Sequence, residues 1–309
     1  MDLVCVGDVM LDIRVDAQTL QRGGDVHGRV VLQPGGTSAN AAVWAAWSGA
    51  SARVHGRIGD DLAGRTLTDA LQRRGVESAL TIDEEAPTGT MLVIHEPGER
   101  SMVADRGANA RLEPSDLPEA IQAGAVLISG YLLLQERGHG AAIAALERAR
   151  APLVAIEAAS WPMVEAFGRD RFLEETTGAD LVFANELEAG VLTGVDDGVA
   201  AATALGERYR FAAVKLGSRG AVLVADGGTA IAATPSVAEV DPTGAGDAFD
   251  GVLLAGLTRG LTPERALEQA CRAGARVAGS SSVWPDETGG ASTVSAPSGR
   301  VGATRSEEP

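Results

Sequence analysis

A chain of 309 residues with 45% hydrophobic and 22% charged side chains is long enough for one large α/β domain with an appendage or for two ordinary domains. With only 4% aromatic residues its core must be built from Ala, Val and Leu. A formal net charge of −16 with no compensating basic tract excludes nonspecific binding to nucleic acid or acidic membranes, and the longest apolar runs, such as AGAVLISGYLLL at 123–134, are broken by Gly and Ser and fall short of the about 20 residues that span a bilayer.

The chain opens with DLVCVGDVML, an apolar run bounded by Gly and Asp that reads as a first strand. An acid at position 2 and the lack of a basic region ahead of that run argue against a secretion signal, so a cytoplasmic protein is expected. A helix over TSANAAVWAAWSGA, a strand over ARVHGRIG and a helix over LAGRTLTDALQRRG follow. The alternation resumes at AVLISG and runs through HGAAIAALERARA, PLVAIEA, ADLVFAN, ELEAGVLTG, FAAVKLG and GAVLVAD to a last helical region after residue 246. Strands separated by helices of roughly 10 to 15 residues indicate βαβ units, and the predicted fold is α/β: a doubly wound, mainly parallel sheet flanked by helices.

Two segments break this rhythm. Residues 13–33 contain VHGRVVLQ, and residues 88–106 contain TGTMLVIHEPGERSMVADR with Pro97-Gly98 as a turn between two strands. Both read as antiparallel excursions that pair into a small β-sheet lid over a cleft. From about Trp284 the chain is rich in Gly, Ser, Thr and Pro, so residues 1–284 are expected to form the folded unit and 285–309 a flexible tail. Cys5 and Cys271 lack metal-like spacing and read as buried free thiols, and the four histidines are scattered without ligand spacing. Trp44 and Trp47, three apart, are expected to pack the first helix against the sheet.

The chemistry concentrates in DPTGAGDAFDGVLL, residues 241–254. Gly244, Ala245 and Gly246 at a helix start can aim their amides into one hollow and form an anion site reinforced by the helix dipole. Asp247 then lies in the first turn beside that site, which suits proton removal from a hydroxyl that attacks phosphorus. The same residues also make an ordinary capped helix start. Other motifs decide between the two readings: PGGTSANAAVWAAWSGA at 34–50, NELE at 185–188 and KLGSRG at 215–220.

In this order the four motifs resemble those of the ribokinase-like (PfkB) family of carbohydrate kinases, which also covers adenosine and related nucleoside kinases. The resemblance spans roughly residues 3 to 282 and includes the lid. It implies ATP as phosphoryl donor, Mg²⁺, a small-molecule sugar substrate and a homodimer joined through the lid, with no nucleic-acid or membrane partner. It implies Asp247 as the general base and the 244–246 amides as the anion hole. Asp241 and Thr243 would hold that loop in shape, and in some relatives the first Asp helps bind a monovalent cation such as K⁺, although Pro242 stands where many relatives have Thr.

Asn185 and Glu188 share a helix face and by the resemblance order Mg²⁺-bound water; they also form a capping-box pattern. Lys215, the only lysine in the chain, and Gly217 and Gly220 fall at the nucleotide. Asp12, Gly35, Gly36 and Asn40 match sugar-contacting positions, and an amide at Asn40 within SANAAVWAA needs a buried partner or a ligand. Arg106 and Asn109 in DRGAN face the acceptor by the same resemblance, with Arg106 either a clamp for a substrate anion or a surface residue paired with Asp105 or Glu99. IEAASWP at 156–162 lacks the Asn-x-Arg pattern expected for 2-keto-3-deoxygluconate, so a sugar acid stays open as the acceptor but is not favoured over a neutral sugar.

Three functions are compatible with these residues. The first is Mg·ATP-dependent phosphorylation of a primary hydroxyl of a sugar or sugar derivative. The second is a nucleoside kinase with adenosine-like or pseudouridine-like specificity, disfavoured because the lid segments contain no Phe, Tyr or Trp. The third is a binding or regulatory protein that has lost catalysis, which the intact Asp247 and glycine loop oppose. A dinucleotide-dependent dehydrogenase is a poor fourth choice because VGDVMLD carries no Gly-x-Gly-x-x-Gly fingerprint.

Overall fold

In a computed structural model, which describes residues 1–21, 23–96 and 99–286, the apolar runs become the strands of one nine-stranded sheet. In chain order the elements begin β1 (Leu3–Val6), β2 (Met10–Ala17), β3 (Gly28–Gly35), α1 (Thr37–Trp47), β4 (Ala52–Gly59), α2 (Leu62–Arg73), β5 (Val76–Asp83), β6 (Thr90–Glu96) and β7 (Glu99–Asp105). They continue with β8 (Ile121–Gln122), β9 (Ala125–Ile128), α3 (Gly130–Leu133), α4 (His139–Arg148), β10 (Ala149–Arg150), β11 (Leu153–Glu157), α5 (Trp161–Phe167), α6 (Arg169–Glu175) and β12 (Leu181–Asn185). Then come α7 (Glu186–Thr193), α8 (Gly198–Gly206), β13 (Phe211–Lys215), β14 (Ala221–Ala225), β15 (Gly228–Ala232), α9 (Ala245–Thr258) and α10 (Pro263–Ala278).

The large sheet runs β15-β14-β13-β12-β11-β9-β1-β4-β5, parallel from β13 to β5 and antiparallel across β13, β14 and β15. Its central strands are apolar on both faces because helices cover both. Successive residues of β1 divide accordingly: Leu3 and Cys5 join a core with α1, α2, α9 and α10, whereas Val4 and Val6 join one with α3 to α8. The doubly wound α/β fold is thus as expected.

The lid is a separate four-stranded sheet ordered β3-β2-β6-β7. Its outer pairs are antiparallel, but β2 and β6 pair in parallel, with Asp12 opposite Met91 and Arg14 opposite Val93. That differs from the all-antiparallel expectation because β6 arrives after an excursion through β4, α2 and β5 rather than by a hairpin. The Pro97-Gly98 turn lies outside the described residues, as do residues 287–309 of the expected tail.

Trp44 also departs from expectation. It packs between helices, against Ala248 and Val252 of α9 and Ala273 and Val277 of α10, and its Nε1 donates to the Val283 carbonyl at 2.9 Å. Small side chains of α1, Ala39, Ala41, Ala42 and Val43, meet the sheet instead, where an indole would hold the helix off. Cys5 and Cys271 are buried and free, and among the described residues no helix is long and apolar enough to cross a membrane.

Candidate active site

A cavity of about 650 Å³ lies at the carboxyl ends of β1, β11, β12 and β13, beneath the lid and against the N-termini of α1 and α9. Ligands of open α/β sheets occupy that edge, because the strands deliver side chains there and the helices aim their amides at it.

Helix α9 starts from Gly244 in the left-handed conformation, φ 78°, where a Cβ would also strike Val283, so glycine is required twice over. The Ala245 amide closes a turn onto the Pro242 carbonyl at 3.1 Å. One of the three expected anion-hole donors is therefore engaged within the loop, and the remaining amides of the first turn are those every helix start leaves unsatisfied. Oδ1 of Asp241 accepts from the backbone N and the Oγ1 of Thr243 at 3.0 and 2.7 Å, fixing the loop from below.

Asp247 faces the cavity from this first turn. Its Oδ2 accepts from Asn40 Nδ2 at 2.7 Å, while Asn40 Oδ1 accepts from Trp284 Nε1 at 2.6 Å. An indole N–H can only donate, so Trp284 fixes which way the Asn40 amide points and turns its NH₂ toward the carboxylate. Desolvation pushes the Asp247 pKa up to about 6, against the lowering by the Asn40 hydrogen bond and by the charge of Lys215. Asp12 is buried close by; desolvation, and then the charges of Asp247 and Asp241, push it up to about 7.

Glu157, at the end of β11, is 7% exposed, lines the cavity and has no hydrogen-bond partner for its Oε2. Burial, and then the charge of Asp247, raise its pKa well above the usual range. Lys215 Nζ bonds both oxygens of Asp250 at 3.0 and 2.9 Å and lies over Gly246, where a Cβ would come within 3.3 Å. Burial alone would lower the Lys215 pKa, but Asp250, Glu157 and Glu188 hold the ammonium above the usual lysine range. Asp250 keeps this lysine charged and beside the anion loop.

Asn185 and Glu188 form a reciprocal capping box. The backbone N of Asn185 donates to Glu188 Oε2 at 2.8 Å, its Nδ2 to Oε1 at 2.6 Å, and the Glu188 amide to Asn185 Oδ1 at 3.0 Å. Both residues line the cavity all the same. Among the described residues no group of three or more His, Cys, Asp or Glu is arranged to hold a metal directly. Mg²⁺ keeps several waters and binds through one or two carboxylates plus substrate phosphates, and a buried carboxylate at the cavity wall suits that mode.

Two acceptor-side positions, Asn109 and Gly35, differ from expectation, whereas Arg106 lines the cavity with an unexpected partner. Arg106 is paired with Asp8, an acid two residues past β1, rather than with Asp105 or Glu99, and it stacks over Tyr131 at 5.1 Å. Asp8 also accepts from Ser129 Oγ at 3.4 Å. Asn109 spends its amide on the backbone N and O of Val9, both at 3.0 Å, and does not line the cavity. Its terminal amide matches a peptide group, so it pins the β1–β2 connection. Gly35 is likewise absent from the lining and makes room for Asp12, whose carboxylate would lie 2.3 Å from a Cβ there. Gly36, Asn40 and Asp12 do line the cavity.

At the other end Gly217, φ 60°, opens onto free space, whereas Gly220 is a glycine because a Cβ would strike the Ala232 carbonyl. Sequence reasoning missed the 234–239 loop and the small residues Gly274, Ala275 and Ala278 of α10, which complete this wall. It also missed Asp8, Glu157 and Asp250. Each carried a signal: Glu157 is the lone charge ending LVAIE, Asp8 closes the apolar run LVCVGD two residues past β1, and Asp250 follows Asp247 by three within an apolar helix.

The sequence matches the family described as pfkB family carbohydrate kinase over residues 1–287. It is 32% identical over 260 residues to a 2-dehydro-3-deoxygluconokinase of Thermoproteus tenax, covering 79% of each chain. It is 30% identical over 282 residues to a cytidine kinase of Thermococcus kodakarensis, covering 89% of this chain and 93% of that one. Among solved structures, an adenosine kinase from Sinorhizobium meliloti superposes with a TM-score of 0.84 at 26% identity, over 92% of this chain and 95% of that one.

Proposed function

The chain belongs to the pfkB family of carbohydrate kinases, ATP-dependent enzymes that phosphorylate a sugar or a nucleoside, and from that premise we propose that Asp247 is the general base and that the acceptor is a neutral polyhydroxy compound. The observation that carries the assignment is the carboxylate of Asp247, held by Asn40 at 2.7 Å beside the amides of the α9 start and facing the cavity. In this reading Asp247 takes the proton of a primary hydroxyl while that oxygen attacks the γ-phosphorus of ATP and the bond from that phosphorus to the β,γ-bridging oxygen breaks, so that ADP leaves. The α9 amides and Lys215 then answer the charge on the transferring group. A carboxylate raised toward neutrality is a better base than an ordinary one and still ionised at pH 7.

Glu188 with Asn185 would hold Mg²⁺ through water, and the ion when bound would supply charge neutralisation of the phosphates. Gly217, the 234–239 loop and Ala275 receive the nucleotide, where small residues allow close backbone approach. A neutral acceptor is favoured because Asp8, Asp12 and Glu157 surround its end of the cavity, while the charge of Arg106 is already answered by Asp8. A substrate carboxylate there would find Arg106 already committed to Asp8 and would share the pocket with Asp12 and Glu157, whose ionisation burial already opposes.

One observation favours a second reading, a nucleoside acceptor. Met10, Met91 and Met102, three of the five methionines, line the cavity with Tyr131 and offer an adaptable apolar wall for a base. ADP release with Mg·ATP, measured against ribose, fructose, glucose, 2-keto-3-deoxygluconate, adenosine and cytidine, separates the two. Turnover restricted to free sugars or to nucleosides selects one reading; a sugar acid as sole substrate contradicts the neutral acceptor; no turnover on any contradicts the acceptor assignment.

Two further proposals concern the whole protein. The outer face of the lid exposes Val30, Leu32 and Val103, and among the described residues β3 is an edge strand, so we propose that a second copy covers this face in a homodimer. Free buried thiols fit action in the cytoplasm, where ATP is at hand.

A further inference from the structure

The resemblance would bring a monovalent cation to Asp241, and the groups found around that carboxylate do not fit one. Asp241 is 5% exposed. Its Oδ1 is committed to Thr243, and its Oδ2 faces two basic side chains of the lid, Arg14 Nη1 at 3.2 Å and His95 Nε2 at 3.4 Å. Arg14 is itself braced, its Nε 3.0 Å from Asp16 Oδ1. A guanidinium stays charged at every working pH, so a second cation on Oδ2 would meet like charge at contact distance.

We propose that Arg14 permanently supplies to the 241–247 loop the positive charge a monovalent cation would bring, so that phosphoryl transfer here is independent of K⁺. The inference rests on the kinase reading above. Arg14 does not line the cavity, so it is a positioning residue: it acts through Asp241, which holds Thr243 and hence the approach to Gly244. Because Arg14 and His95 sit on β2 and β6, the charge arrives with the lid, which ties the shape of the anion loop to lid position. A freely exchanging cation could not make that link.

The test measures ADP formation, with ATP, Mg²⁺ and whichever acceptor the wild type turns over, in potassium, sodium and tetramethylammonium chloride at one ionic strength. Wild type, Arg14→Gln and Arg14→Lys are compared, with melting temperatures in the same salts. Wild-type kcat is expected to agree within about twofold across the salts, and Arg14→Gln to fall about tenfold in tetramethylammonium, the loss expected of one charge-assisted contact. K⁺ then restores part of that loss, Arg14→Lys keeps most of the activity, and KM for the acceptor changes little.

K⁺ activation of the wild type by about tenfold or more overturns the proposal. So does an Arg14→Gln enzyme as fast as wild type without K⁺, or an Arg14→Lys enzyme as impaired as Arg14→Gln. If Arg14→Gln does not fold, the wild-type salt series and Arg14→Lys decide. If no acceptor is turned over, the acceptor assignment has failed instead, and the melting temperature of the wild type still tests Asp241: stabilisation specific to K⁺ contradicts the inference.

Discussion

The two ends of the cavity are built on different principles. At the acceptor end, Asp8, Asp12, Glu157 and Asp247 arrive from the β1–β2 connection, β2, β11 and α9; Arg106 holds Asp8, and Asn40, oriented by Trp284, holds Asp247. At the nucleotide end, Gly217, Gly274, Ala275 and the 234–239 loop present mostly backbone and small side chains. In the proposed reading, chemistry and acceptor choice depend on buried acids, of which Asp12 and Glu157 are raised by burial and then by the charge of Asp247, whereas nucleotide binding depends on space.

The comparison breaks most sharply at Asp247. Asp247→Asn, nearly isosteric, is expected to fold and bind ATP but to lose phosphoryl transfer by roughly 10²- to 10⁴-fold, the contribution of a general base. Near-wild-type turnover in a single-turnover experiment would move the base elsewhere. Val237→Asp tests the other end. Val237 is exposed at the nucleotide wall, and a new carboxylate there is expected to raise KM for ATP about tenfold through repulsion of the phosphates, with KM for the acceptor unchanged. An equal rise in both would mean that the two ends are not separable.

A smaller effect is expected from Trp284→Phe, which keeps the packing but frees the Asn40 amide to turn. It should lower kcat by about threefold, consistent with the loss of one neutral hydrogen bond. It should also shift the acid limb of kcat/KM upward, which loss of packing alone would not do.

The smallest effect concerns stability. Asp247 and Asp12 have folded pKa values raised to about 6 and about 7 from an ordinary 3.8, so between these values the folded state binds more protons than the unfolded one. Stability is then lost as pH rises through that window. The fall in melting temperature from pH 5 to pH 8 should be shallower in Asp247→Asn and Asp12→Asn than in wild type, and an equal fall would show that these groups do not titrate so.

Local sequence carried the glycine loop with its helix start, the Asn-x-x-Glu capping box and Gly217, because these are written in consecutive residues, but it did not carry the rest of the nucleotide wall, the 234–239 loop and the small residues of α10. The alternation of buried strands and helices carried the fold in the same way. What it could not carry were contacts made by topology. The parallel pairing of β2 with β6 follows from a crossover some 70 residues long rather than from a turn, an inference about chain path and not about side chains. Trp284, at the edge of the Gly- and Ser-rich stretch, looks like the start of a tail until its indole is seen on Asn40. Asn109 and Gly35 sit beside residues of the cavity in sequence, but their atoms are spent on Val9 and on space for Asp12.

The central claim, that Asp247 is the base and that Asn40 holds it in tune, is tested most directly by the pH dependence of kcat/KM in wild type and Asn40→Ala. The wild type should lose activity below an acid limb near 6. In Asn40→Ala, without the hydrogen bond that lowers the Asp247 pKa, that limb should move upward while the plateau falls about tenfold. An acid limb at the same pH in both enzymes, or none in the wild type, would contradict the assignment.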